Sequence, residues 1–458
     1  MLRYCVSLLV AVTVFASEPA DWVITARYVV TMNPGREVIE DGAVAVNGMA
    51  IAAVGKRAEI ERRFDARKRL DRPDALIAPG LINTHTHAAM SLFRGIADDL
   101  RLQDWLEKYI FPAEAKNVSS EFVRWGTKLA CLEMMLSGTT TFADMYYFEE
   151  AAAEATAECG LRGVLGQTII GFPSPDAKTP ADALKRAETF LRRYRNDSLI
   201  VSAIAPHALY TNSGDMLKAS RELANRYGAP LLIHLSETKT ENEESRIKHG
   251  ATPTQVLDKL GIFNGRTVAA HCVWVDEQDR RLLKERNAGI AHCPSSNMKL
   301  ASGVAPVVDL LDLGIATGLG TDGPAGSNND FDLFEEMDLA SKLQKVTTGN
   351  PQALPAAQAF AMATITGARA LGMEREIGSL EAGKRADLIT VSLNRPNAIP
   401  LYDVFSHLVY ALKGSDVSDV MVNGKLLVEQ RRVKQLDVEE ILRRGASFGL
   451  RISRSVGK

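Results

Sequence analysis

The sequence predicts an α/β protein in which eight parallel strands, alternating with helices, close into a barrel. A small β-sandwich is expected beside it, built from both chain ends. Three observations carry this. Through the middle of the chain, apolar runs of strand length alternate with helical stretches. Shorter β-runs, punctuated by Gly, Asn and Pro, precede and follow that region. Six of the eight histidines stand at the ends of the central β-runs, which marks one face of the barrel.

The 458 residues leave room for a large core and more than one domain. A formal net charge of -2, without a basic stripe, argues against nucleic acid or an anionic membrane as partner. Cys5, Cys131, Cys159, Cys272 and Cys293 are scattered, with no CxxC, so neither a disulfide framework nor a zinc knuckle is expected. Residues 1–16 read as a secretory signal peptide. Met1-Leu2-Arg3 is a short basic start, the apolar run CVSLLVAVTVFA follows, and Val14-Phe15-Ala16 offers cleavage before Ser17. The run is too short to read as a membrane span. A working signal would place the mature chain in the periplasm or outside the cell; otherwise it is cytoplasmic.

Residues 17–78 hold the first β-runs, WVITARYVVTM, GAVAVNGMAIAAVG and DALIAPG, assigned to the sandwich. Residues 79–377 hold the barrel. Its β-runs are LINTHTH from Leu81, TTTFADM from Thr139, LRGVLGQTI from Leu161, LIVSAIAPH from Leu199, PLLIHLSET from Pro230, TVAAHCV from Thr267, GIAHCPSS from Gly289 and GIATGLGTDG from Gly314. Most are almost continuously apolar, as strands buried on both faces must be. Between them, Phe122, Trp125, Leu129, Leu132 and Leu136 recur at helical spacing, with Gly138 placed to end that helix. The stretches 215–228 and 276–289 begin acidic and end at Gly, and 354–372 forms a last helical stretch. Residues 378–458 return the chain to the sandwich and a tail, through GSLEAGKRADLITV and DVMVNGKLLVEQRRV. The NGK turn at Asn423 echoes the NGM turn at Asn47. The whole reads as a (β/α)8 TIM barrel with an accessory β-sandwich.

Catalysis in such barrels sits at the C-terminal ends of the strands. His85 and His87, at i and i+2, point to one face of the first strand. His207, His234, His271, His292 and Asp322 end later strands, with Glu237 just beyond His234. His85, His87, His234 and Asp322 can converge as metal ligands. Three neutral imidazoles and a carboxylate suit Zn²⁺, with Fe²⁺ or Mn²⁺ as alternatives. A metal with an open position lowers the pKa of bound water from 15.7 to about 7. His271 is placed to hold or deprotonate that water, and Glu237 to carry protons. Gly320 and Gly323 flank Thr321-Asp322 and predict a tight strand exit that exposes Asp322.

HTHAAMSLFRG, HLSET, AAHCVW, HCPSSNMKL, LGTDGPAGSNN and LEAGKRADLI resemble the amidohydrolase superfamily, and within it the 5-methylthioadenosine/S-adenosylhomocysteine deaminase branch. The likeness runs from Asp21 to about residue 433. It implies a mononuclear site, because no lysine ends the fourth strand where binuclear members carry a bridging one. It also implies hydrolytic deamination of a nucleoside, with His85, His87, His234 and Asp322 as ligands and His271 orienting water. Glu237 would protonate the purine ring, and Asp322 would pass a proton to departing ammonia. Glu114, in FPAEA, matches a grip on ribose hydroxyls, His207 a second substrate contact, and Trp105 an aromatic packed over the substrate. His292 and Asp144 are given no catalytic role, Asp144 being read as structural.

The chain departs from the pattern at one place. Some members carry arginines at the end of the third strand and in the next loop, suited to clamping an amino-acid carboxylate. Here Gln167 and Lys178 stand there instead. Methylthioadenosine or adenosine is therefore expected to be handled at least as well as S-adenosylhomocysteine. Two other readings stay open: a related barrel acting on a free base or triazine (guanine or cytosine deamination, dechlorination), and a non-catalytic metal-binding protein. Glu114 and His207 favour a ribose-bearing substrate, and a binder has no need of Glu237. A homo-oligomer is compatible with the sequence.

Overall fold

The computed structural model describes residues 17–457, so the signal-peptide expectation for residues 1–16 lies outside the described residues. The barrel strands are Leu81–Thr86, Thr139–Tyr146, Arg162–Ile169, Ile200–Pro206, Leu231–Leu235, Thr267–His271, Gly289–His292 and Thr317–Leu319. Every neighbouring pair is parallel, and the eighth strand pairs back onto the first through Leu319 and Asn83. The closed barrel follows chain order. Each expected β-run coincides with one of these strands, the second strand running one residue past its run to Tyr146. The seven longer ones have four to eight residues with almost every side chain buried, which is why apolar runs marked them.

Both chain ends meet in one mixed sheet of eight hydrogen-bonded strands. The seam is the antiparallel pairing of Leu388–Ser392 with Phe64–Pro79, which sets Thr390 opposite Ile77. Across it, Arg72 donates two hydrogen bonds of 2.8 Å to Asp419. The two echoing turns touch: a Cβ on Gly424 would lie 2.1 Å from the Gly48 carbonyl oxygen. Both glycines have positive φ, which L side chains adopt at a cost. The sheet is tied to the bottom of the barrel by Arg162, the first residue of the third strand. Its guanidinium donates to Asp387, Asn423 Oδ1 and the Ser198 carbonyl.

Two helical regions differ from the periodicity reading. The stretch 354–372 is two helices, Ala356–Met362 and Ile365–Leu371. The break falls where Ile82 N–H of the first strand donates to the Ala363 carbonyl at 2.8 Å, taking an acceptor that a continuous helix would use. The apolar stripe on Ser120–Leu136 is covered by a helix, Val438–Val456, in the region expected to be tail. Phe448 meets Phe122 edge to face at 5.8 Å, and the Arg444 guanidinium stacks 5.0 Å from the Trp125 ring. Among the described residues no helix is long and apolar enough to cross a membrane.

Candidate active site

The barrel mouth collects the polar residues. His85 and His87 leave the first strand on one side, as the i, i+2 spacing requires. His87 Nδ1 lies 2.7 Å from the Met145 carbonyl, and His234 Nδ1 lies 2.8 Å from the His207 carbonyl. A carbonyl oxygen only accepts, so each Nδ1 carries the hydrogen, and each Nε2 presents a lone pair when its ring is neutral. Those two Nε2 atoms face one another at 3.4 Å. Asp322 Oδ1 lies 3.4 Å from His85 Nε2 and 3.2 Å from His87 Nε2. His85 Nε2 is buried without a hydrogen-bond partner. Donor atoms of His85, His234 and His271, and those of His85, His87 and Asp322, lie within 4.8 Å of one another. Imidazole nitrogens crowded around a carboxylate, with the second nitrogens of His87 and His234 held by backbone carbonyls, fit a divalent metal.

Backbone geometry builds this cluster. Asp322 and His271 have φ of +62° and +72°, left-handed values that non-glycine residues hold only under constraint. The strand exit at Asp322 is tight, as expected, but the turn falls on Asp322 itself. The flanking glycines serve close approach: a Cβ on Gly320 would lie 2.9 Å from His85 Cβ, and one on Gly323 would lie 3.2 Å from His87 Cδ2. Asp144 is structural, as expected. Its Oδ1 accepts from Thr86 Oγ1 at 2.7 Å and from Ala88 N–H at 2.6 Å, which braces the His85–His87 segment.

Burial and charge set the protonation of the mouth. Burial opposes ionisation of Asp322, but the His85 and His87 imidazoles beside it outweigh that and hold the carboxyl well below its usual range. Burial also opposes the charged form of His87, yet Asp322 carries it up to about 9. His85 is lowered to about 4 and His207 to about 3, both chiefly by burial. Burial raises Glu237, and raises Glu114 to about 7.

Above the cluster a cavity of about 590 Å³ is lined by His87, His234, His271 and Asp322 together with Glu114, His207, Glu237 and Trp105. Its apolar wall comes from an insert after the first strand, in which the wide helical turn Trp105–Ile110 separates Leu102–Asp104 from Phe111–Asn117. Such π turns recur at functional sites. Trp105 faces the cavity while its Nε1 donates to the Ala325 carbonyl at 3.0 Å, so one side chain both lines and ties. Glu237 Oε2 stands 3.8 Å from His271 Nε2. His292 is fully buried, and neither ring nitrogen has a hydrogen-bond partner. Gln167 is also fully buried and donates to Asp176 Oδ2 at 2.8 Å, so it is committed to the barrel wall.

Other residues of the site were not singled out from the sequence. Tyr146 OH donates to Glu114 Oε1 at 2.7 Å. Asn297 Oδ1 accepts from His271 Nδ1 at 3.0 Å, which leaves His271 Nε2 as an acceptor. Ser296 Oγ donates to Asp322 Oδ2 at 2.6 Å. The signal available was position: Tyr146 follows the second strand's Asp144, and Ser296-Asn297 follow the seventh strand's histidine.

A parallel (β/α)8 barrel with imidazoles and a carboxylate converging at its C-terminal mouth defines a class of metal-using barrel enzymes. The chain belongs to the amidohydrolase family, whose model matches residues 76–427. A relative from Syntrophus aciditrophicus (strain SB), named 5-methylthioadenosine/S-adenosylhomocysteine deaminase 1, is 46% identical over 439 residues, spanning 96% of this chain and 99% of its own. A 5'-deoxyadenosine deaminase from Methanosarcina acetivorans is 44% identical over 425 residues, spanning 92% of this chain and 96% of its own. A crystal structure of an adenosine deaminase from Xanthomonas campestris with bound zinc superposes with a TM-score of 0.94 at 40% identity, covering 96% of this chain and all of that one.

Proposed function

We propose that this chain is a zinc-dependent deaminase of 6-aminopurine nucleosides, converting them with water to the inosine analogue and ammonia. One observation carries the reading. A proton carrier, Glu237, and a water-holding imidazole, His271, open into the same cavity as Glu114 and His207, directly above the His/Asp cluster. The relatives named as nucleoside deaminases and the zinc-bound neighbour support it.

His85, His87, His234 and Asp322 would hold the metal. Zinc in that donor set supplies Lewis acidity and brings the pKa of a coordinated water to about 7. His271 Nε2, bare because Nδ1 is committed to Asn297, accepts a hydrogen bond from the attacking water. Asp322 takes that water's proton as the oxygen adds to C6. Glu237, whose hold on a proton burial strengthens, gives its proton to the adjacent ring nitrogen. In the second half Glu237 recovers a proton from the new hydroxyl, and Asp322 delivers its own to the departing amine. Both carboxyl groups return to their starting states, and ammonia leaves. Glu114 receives the ribose hydroxyls, steadied by Tyr146, with His207 as the second contact and Trp105 packed over the base.

The 5' end of the substrate meets no cation. Among the described residues no Lys or Arg lines the cavity. Beside its wall, Phe111 meets Phe172 edge to face at 5.3 Å. An uncharged 5' substituent therefore loses less water on entry than the zwitterionic tail of S-adenosylhomocysteine. Methylthioadenosine, 5'-deoxyadenosine and adenosine are expected to match or exceed it in kcat/KM. Ammonia release by zinc-loaded protein on these four nucleosides, guanine and cytosine tests the reading. Turnover confined to nucleosides supports it. Turnover confined to a free base, or on none of the panel, refutes it. Export rests on the composition of residues 1–16 alone, and an intact Met1 on protein isolated from the cytosol would refute it.

A further inference from the structure

The mechanism makes large demands on Glu237, yet little holds that side chain. Among the described residues its carboxyl has no hydrogen bond, and it stands 3.8 Å from His271. Its position is therefore set by its backbone. That backbone has just left the fifth strand through Ser236, whose φ of +49° is a left-handed value on a non-glycine residue. Two amide hydrogens come free in this turn, and both are bound by one carboxylate. Glu241 Oε1 accepts from Ser236 N–H at 3.1 Å, and Glu241 Oε2 accepts from Glu237 N–H at 2.8 Å.

Glu241 is placed for this by its own helix, Lys239–His249. Thr238 caps that helix, and its Oγ1 accepts from Glu241 N–H at 3.1 Å. A Glu at this third position ordinarily reaches back to the cap's own amide. Here it reaches further, to the two residues before the cap. It is 6% exposed, so the two amides have no water to replace it. The other side of the turn is fixed as well: Trp274 N–H donates to the Ser236 carbonyl at 2.9 Å, and Cys272 N–H donates to the Leu235 carbonyl at 3.0 Å.

We infer that Glu241 is a positioning residue for proton transfer: its carboxylate clamps the Ser236–Glu237 backbone in the turn that aims Glu237 into the cavity. The inference rests on the proposed role of Glu237 as proton carrier. Glu241 touches neither the cavity nor the His/Asp cluster, so its removal should spare metal and substrate binding while slowing turnover. Glutamine at the same position keeps one acceptor oxygen but turns an NH2 group towards one of the two amides. It should clamp less well than the carboxylate and better than alanine.

The test combines Glu241→Ala and Glu241→Gln, each made alone and together with Glu237→Gln, in full-length zinc-loaded protein. Three quantities are read: zinc per chain, kcat and KM on methylthioadenosine, and hydrogen-exchange protection of the Ser236 and Glu237 amides. The expected result is a kcat about 10- to 100-fold lower in Glu241→Ala and intermediate in Glu241→Gln. KM and zinc content should stay within about twofold, and protection of both amides should be lost in Glu241→Ala. The Glu241 penalty should also vanish once Glu237 is glutamine, because a clamp has nothing left to aim. Three results would overturn the inference: an equal Glu241 penalty on both backgrounds, loss of zinc in parallel with activity, or amides that stay protected in both variants. Exchange needs no substrate, so it reads the clamp even if wild-type protein deaminates nothing. That failure would fall on the proposed function instead.

Discussion

Two buried polar clusters, at opposite ends of the barrel, are built on opposite principles. At the bottom, Arg162 is 2% exposed, and each of its guanidinium nitrogens has a partner among Asp387, Asn423 and the Ser198 carbonyl. Asp387 in turn accepts from Asn423 N–H at 2.7 Å. At the mouth, His85 Nε2 has no hydrogen-bond partner, two Nε2 atoms face each other at 3.4 Å, and the Glu237 carboxyl stands 3.8 Å from its neighbour. The barrel and the chain ends are joined where polar groups are satisfied. Chemistry is available where they are left open, because an unpaired donor set has affinity to spare for a metal, a water or a substrate.

This contrast can be broken by substitution, and the largest expected effect is at the mouth. Asp322→Ala should remove the metal and at least about 10⁴-fold of turnover, or more than about 5 kcal/mol of transition-state stabilisation, measured as zinc content and ammonia release. Glu237→Gln comes next, with turnover lower by about 10²- to 10⁴-fold and zinc retained. A Glu237→Gln protein that lost its zinc would mean that the carboxyl belongs to the metal site after all.

The bottom cluster should respond in stability instead. Arg162→Met leaves Asp387 buried without its cation, and chemical denaturation should show a loss of about 3–5 kcal/mol. The folded fraction should keep its kcat. The smallest effect is at the seam of the mixed sheet. Hydrogen bonds from Arg72 and Thr390 outweigh burial and hold Asp419 below its usual carboxyl range. A depressed carboxyl stabilises the fold fully above the unfolded pKa, about 3.9, and loses that contribution as pH falls through the folded value. Asp419→Asn should therefore cost about 1.5–3 kcal/mol at neutral pH and progressively less on acidification below about pH 4, read from denaturation midpoints. A penalty that does not change with pH would show that the Arg72–Asp419 pair holds the seam by packing rather than charge.

The two clusters were not equally legible in the sequence. The mouth announced itself because parallel strands are apolar almost throughout, so a histidine or aspartate at the end of each run stands out: His85, His87, His234, His271 and Asp322 could be picked out one run at a time. The bottom did not, because Arg162, Asp387 and Asn423 are separated by 225 and 36 residues and each looks like an ordinary surface residue in its own neighbourhood. The same reason hid Asn297 and Ser296, whose partners come from other strands. Glu241 is an intermediate case. Thr238 and Glu241 have the spacing of a capping box, so the helix start was visible, but the reach beyond the cap to Ser236 and Glu237 depends on a left-handed turn that spacing does not encode. The last helix was missed for a different reason. Ile441, Phe448 and Ile452 form its buried stripe at i, i+7 and i+11, a sparse signal on a chain that is otherwise charged there.

The measurement that bears most directly on the account is zinc add-back. Protein stripped with a chelator would be titrated with zinc while ammonia release from methylthioadenosine is followed. The mouth described here predicts no turnover without metal and a rise that saturates at one zinc per chain, with Glu237→Gln binding the same single zinc and staying slow. Turnover by the stripped protein, or a fully loaded protein inactive on every 6-aminopurine nucleoside, would contradict it.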